Sequence, residues 1–161
     1  MRSFEGILAK SEDILHIAGC LALVGIAVLI NADIFLRVLA GFPLQFQFEL
    51  TELYLMPALA TLSLSRVFRD GGHLALDVVP QAALGEILRR LVLALSAAFA
   101  IALALMSGRF ATRAFLRGEI EYGAYDWHLG WAYASVPLGC GLLAIRLIYE
   151  TVKKGETNAT T

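Results

Sequence analysis

Four long apolar runs in 161 residues predict an all-α membrane protein: four transmembrane helices with short interfacial helices, and both termini cytoplasmic. Three observations lead there. Hydrophobic residues make up 58% of the chain, charged residues only 17%, and mean hydropathy is +0.70, whereas soluble domains run about 45–50% apolar and about 25% charged. The runs have bilayer length, since a hydrocarbon core about 30 Å thick needs roughly 20 apolar residues per helix. The length allows one membrane domain over residues 1–161 and no soluble domain beside it. A net charge of −1 excludes a nucleic-acid binder, because phosphate recognition needs a basic surface. Cys20 and Cys140 lie within apolar runs, so neither a disulfide framework nor a zinc site is expected.

The first crossing is expected over about residues 14–38. It is too long for a signal peptide, and Glu5, Glu12 and Asp13 spoil the basic start that such a peptide has. Before it, Phe4, Ile7, Leu8 and Ser11 have the spacing of a short surface helix. Gly41 and Pro43 mark a turn. The second crossing, about 48–68, carries Glu49, Glu52 and Pro57. The middle loop runs from about Arg69 to Arg90, and its second half after Pro80 has helical spacing suited to an interfacial helix. The third crossing, about 90–110, continues past Gly108 at helical period. It is therefore expected to overshoot the membrane, with Arg109, Arg113 and Arg117 one above another. The fourth, about 129–149, contains Pro137; a kink is expected at each helical proline.

Lys and Arg set the orientation. Four crossings put Arg2, Lys10, Arg66, Arg69, Arg89, Arg90, Arg146, Lys153 and Lys154 on one side and Arg37, Arg109, Arg113 and Arg117 on the other, nine against four. The richer side, with both termini, is expected in the cytoplasm.

Small residues at four-residue intervals, Ser96, Ala100, Ala104 and Gly108 on the third helix and Ser135 and Gly139 on the fourth, predict packing faces. Asp33 and Arg37 have the spacing and order of a local ion pair. Glu49 and Glu52 share a face at the start of the second helix, where negative charge is favourable and a pair with Arg37 is within reach. The arginines at 109, 113 and 117 read either as a solvated basic face or as a docking face for an acidic partner. No charged constellation is expected at mid-membrane, where a coupled transporter builds its site between repeats. His16, His73 and His128 are not placed to face one another across a haem. Catalytic motifs are lacking, so no enzyme, cofactor or metal is expected.

The segment from Arg37 to Asp77 resembles the small membrane subunit of tripartite ATP-independent periplasmic (TRAP) transporters, a family of four-helix bacterial inner-membrane proteins. The similar features are Arg37 ending the first helix, Pro43 in the turn, and Phe46, Phe48 and Glu49 opening the second. Arg69 then closes that helix before Gly71, Gly72, His73 and Asp77. The family often has Trp where this chain has Phe46 and Pro57, while Trp127 and Trp131 lie at the start of the fourth helix. The resemblance implies a multi-pass inner-membrane subunit that accompanies a large permease subunit and a periplasmic substrate-binding protein. Together they import an organic acid anion on a sodium gradient. It also implies interface or structural roles for Arg37, Glu49, Glu52, Arg69, His73 and Asp77, with Arg69 and Asp77 able to pair. Docking of the binding protein on Arg109, Arg113 and Arg117 is the further expectation. A haem- or quinone-binding anchor of a respiratory complex is the rival.

Overall fold

The computed structural model describes residues 2–71, 86–123 and 125–159, with side chains from 5 to 71, 91 to 123 and 125 to 151. His73, Asp77 and the expected interfacial helix after Pro80 lie outside the described residues. Helix α1 (Arg2–Ala40) is continuous. The expected surface helix at the N-terminus is therefore its first turns, because no proline separates the two and Ser11 Oγ folds back onto the Ile7 carbonyl at 3.1 Å. A short turn follows, in which Asp33 Oδ1 accepts the Leu44 N–H at 2.7 Å while its other oxygen takes Arg37 Nη2 at 2.9 Å. One aspartate thus closes the helix end and fixes the return of the chain.

The second helical segment is broken into α2 (Gln47–Leu50), a wide π-type turn over Thr51–Leu55, α3 (Met56–Leu62) and α4 (Leu64–Arg69). Pro57 accounts for the first break: it has no N–H to give, and its ring crowds the carbonyl four residues back. The second break is at Ser63. Helix α5 (Glu86–Arg117) ends at Gly118, whose φ of +60° suits a residue without Cβ. Its N–H goes to the Phe115 carbonyl and that of Glu119 to the Ala114 carbonyl, the paired bonds of a Schellman cap. A small antiparallel hairpin comes next, β1 (Ile120–Tyr122) on β2 (Asp126–His128), with Glu121 opposite Trp127. The sequence reading had no strand here. Helix α6 (Leu129–Ala159) then runs through Pro137 as one helix.

Three helical stretches, Glu5–Ala40, Leu91–Arg117 and Leu129–Thr151, are long and apolar enough to cross a membrane. The protein is therefore an all-α membrane protein, with one hairpin among the described residues. Its helices lie side by side in a row: α1 packs on α3 and α4, these on α6, and α6 on α5. In the α5–α6 seam Ala97 and Ala100 cluster with Ala144 and Leu147, and farther along the two helices the small side chains of Ala111, Ala114 and Ala132 are buried. Gly108 lies against Pro137. Ser96, expected in this stripe, is exposed instead. Across the other side of α6, Gly139 lets α3 approach so closely that a Cβ would collide with the Thr61 carbonyl. Thr61 Oγ1 uses this proximity to reach the Ser135 carbonyl at 3.1 Å.

Candidate functional site: an ionic knot and an aromatic clasp

A buried carboxylate at one end of the row ties three elements together. Glu12 on α1 has 0% exposure. Ser65 Oγ of α4 donates to its Oε1 at 2.7 Å, and Arg69 Nη1 to Oε2 at 2.9 Å. Arg146 of α6, itself only 5% exposed, brings Nη1 within 3.7 Å of the same oxygen. Arg146 Nη2 donates to Glu150 at 3.2 Å, whereas its Nε and Nη1 find no hydrogen-bond partner among the described residues. Its charge is thus balanced mainly by proximity to Glu12 and Glu150. Burying such a group is tolerable only while opposite charge stays beside it.

Around this centre lies a more exposed ring. Asp13 Oδ1 accepts both Arg66 Nη1 and Arg69 Nη2 at 2.6 Å. Asp70 takes Arg66 Nε at 2.9 Å and Arg69 Nε at 3.5 Å. The hydrogen bond from Arg66, with the charges of both arginines, holds the Asp70 carboxyl below its ordinary value of 3.8. Arg69 Nη1 also caps the Ala9 carbonyl at 3.2 Å, and Tyr149 Oη donates to Glu5 at 3.1 Å. Arg69, singled out from the sequence, is therefore central, with Glu12, Asp13 and Asp70 as its partners. Asp77, its expected partner, lies outside the described residues. Glu12 and Arg146 were missed as a pair because their contact depends on α1 meeting α6.

The other end is held differently. Trp127 Nε1 donates to Glu49 Oε2 at 2.7 Å, and Tyr54 Oη to the His128 carbonyl at 2.7 Å. Trp127 stands between Tyr54 and Tyr125, and Tyr125 meets Phe46 edge-on. The Glu49 carboxylate closes over Gly123, where a Cβ would collide with it. Glu49 thus clasps the hairpin onto α2. Arg37 pairs with Asp33, and Glu52 is exposed in the π-type turn. Arg109 and Arg113 are exposed, and Arg117 is 3.9 Å from Glu119.

Among the described residues no group of three or more His, Cys, Asp or Glu could hold a metal ion. His16 bonds Ser63 Oγ at 3.2 Å and Cys20 Sγ at 3.6 Å, beside the second-helix break, while His128 sits in the hairpin at the opposite end of the row. A row of helices tied by an ionic knot at one end and an aromatic clasp at the other suits an assembled membrane subunit.

Residues 26–155 match the family described as tripartite ATP-independent periplasmic transporters, DctQ component. The chain belongs to the DctQ family. It is therefore a membrane-embedded, non-enzymatic component of a TRAP transporter, and its partners are the transporter's large permease and binding-protein components. The respiratory-anchor rival is left without support. No curated protein and no solved structure matches the chain.

Proposed function

We propose that this DctQ chain is the non-conducting accessory subunit of a sodium-driven, binding-protein-dependent importer of an organic acid anion. It packs along the fixed scaffold of the large subunit and widens that scaffold in the bilayer. The observation that carries the reading is the family match together with the placement of charge in the row: the ionic knot ties helix to helix at one end. At mid-height the helices meet through Gly139, Thr61 and Ser135. Such contacts hold helices together and offer no site for coupled ions. Four crossings, both termini in the cytoplasm and residence in the inner membrane are part of the same proposal. In support, the broken second segment reaches from the hairpin, which it meets at Glu49, to the knot, which it joins at Arg69.

The test is reconstitution of the large subunit with and without this chain. Sodium-dependent uptake of an organic anion should need both, together with the binding protein. Uptake by the large subunit alone at the full rate would defeat the accessory role. A C-terminal reporter active only after export should stay silent, and activity from it would overturn the topology. His73 and Asp77 belong to this proposal as structural residues of the middle loop: His73→Ala should reduce co-purification with the large subunit.

A further inference from the structure

The helices of the row do not present their apolar runs at one height. His16 and Gly19, near the start of the apolar run of α1, meet Ser63. Two residues along, Thr61 meets Ser135 and Gly139, in the middle of the apolar stretch of α6. On the far side of α6, Gly108 lies against Pro137, and Gly108 closes the apolar run of α5, since Arg109, Arg113 and Arg117 follow it. One level across the row therefore cuts the beginning of the first run, the middle of another and the end of the last.

A bilayer offers the same hydrocarbon thickness to every helix. Were the row upright, Arg109 would lie about 10 Å inside the hairpin-side end of α6, roughly seven residues at 1.5 Å each. There an exposed guanidinium faces hydrocarbon at heavy cost. The sequence expectation of a third helix protruding beyond its neighbours does not relieve this, because Phe115 packs edge-on against Trp131, level with the first turn of α6. Leaning the row moves the α5 edge toward the hairpin-side surface and brings all the apolar runs into one slab.

We propose that the row leans in the bilayer so that Arg109, Arg113 and Arg117 engage lipid phosphates of the hairpin-side leaflet. The three share one side of α5, away from α6, because Ala111 and Ala114 between them are buried in the α5–α6 seam. Arg117 has the half-exposed Glu119 at 3.9 Å, and Arg109 and Arg113 make no ion pair among the described residues. Between and beside them stand large apolar groups open to the surroundings: Phe110 at 61% exposure, Leu116 at 89% and Trp131 at 69%. Arginines interleaved with exposed apolar and indole side chains suit the headgroup boundary, where guanidinium groups meet phosphate and indoles anchor. A water-facing docking patch gives no reason for that apolar exposure. The inference rests on the chain spanning the membrane and not on which end is cytoplasmic.

The experiment uses the chain co-purified with its large subunit in detergent, with Tm read after adding phosphatidylglycerol or, separately, inorganic phosphate. Phosphatidylglycerol should raise the Tm of the wild-type complex. The triple variant R109Q/R113Q/R117Q should lose most of that rise, and the triple Lys variant should keep most of it. Inorganic phosphate should not reproduce it. An equal rise in wild type and the Gln variant overturns the proposal, as does a Gln variant that keeps the rise but no longer binds the periplasmic binding protein. If the Gln variant does not assemble, fluorescence of Trp131 in the Trp127→Phe chain decides. A lipid carrying a quencher near its headgroup should quench Trp131 more than aqueous iodide does, and the reverse order rejects the lean. Failure of sodium-driven uptake would leave these lipid readouts untouched, so the two proposals fail separately.

Discussion

The knot end and the hairpin end of the row solve the same problem, joining the second helical segment to its neighbours, with opposite chemistry. At the knot, Glu12 is fully buried and is shared by Ser65, Arg69 and Arg146. At the hairpin, Glu49 takes the Trp127 indole N–H while Tyr54 reaches a backbone carbonyl, among partly exposed rings. Removing one member of the first arrangement leaves buried charge without compensation. Removing one member of the second leaves groups that water can reach. The knot should therefore behave as a single unit and the clasp as a sum of small parts.

The largest effect should come from Glu12→Ala, which strands Arg146 and part of Arg69. A loss of about 3–5 kcal/mol is expected, seen as a large drop in Tm and in yield of the assembled complex. The double variant Glu12→Met with Arg146→Met should recover much of that loss, since an apolar replacement of a buried pair is often neutral. A double variant as poor as the single one would show that the two residues do not act together. Next is Gly139→Ala, whose methyl would press on the Thr61 carbonyl. Overpacking of this kind costs about 1–3 kcal/mol, and an unchanged Tm would mean that α3 and α6 are not in close contact.

On the clasp, Trp127→Phe should keep the ring packing and lose only the bond to Glu49, about 1.5–3 kcal/mol for a charged acceptor and less where water replaces it. Tyr54→Phe in the same background should cost about as much as it does alone, because the Tyr54 bond to the His128 carbonyl is a separate one, and a strongly non-additive pair would break the clasp as described. The smallest effect concerns acid. The folded Asp70 carboxyl lies below its ordinary 3.8, so its contribution is present above that pH and disappears as the pH falls through the lowered folded value. Asp70→Asn should flatten the acid side of the Tm profile slightly and leave neutral Tm almost unchanged. A large loss at pH 7 would move Asp70 from the exposed ring into the knot proper.

The ion pair Asp33–Arg37 was legible in the sequence because four-residue spacing on a helix brings side chains together whatever the rest of the chain does. Arg69 was legible as a closing residue, yet its partner Glu12 stands 57 positions away and was read only as an acid that spoils a signal peptide. Nothing local distinguishes it from a surface glutamate. The hairpin was missed because three-residue strands carry almost no periodic signal. A cue did exist in the alternation of Ile120, Glu121 and Tyr122 before Gly123. The small-residue stripe on α5 was right at Ala100 and Gly108 and wrong at Ser96, since spacing defines a stripe but not which of two adjoining stripes meets the neighbour.

Composition and run length alone decided that this chain lives in a membrane, because hydrocarbon accepts long apolar helices and little else. Local spacing likewise decided where helices begin and turn. The tertiary structure alone decided that the helices form a row, that Glu12 of one helix answers Arg146 of another, and that the apolar runs are staggered across the row. Those features depend on which side chains meet at which height. Close approach at Gly139 and compensation of buried charge set that height, and both act only once the helices are packed.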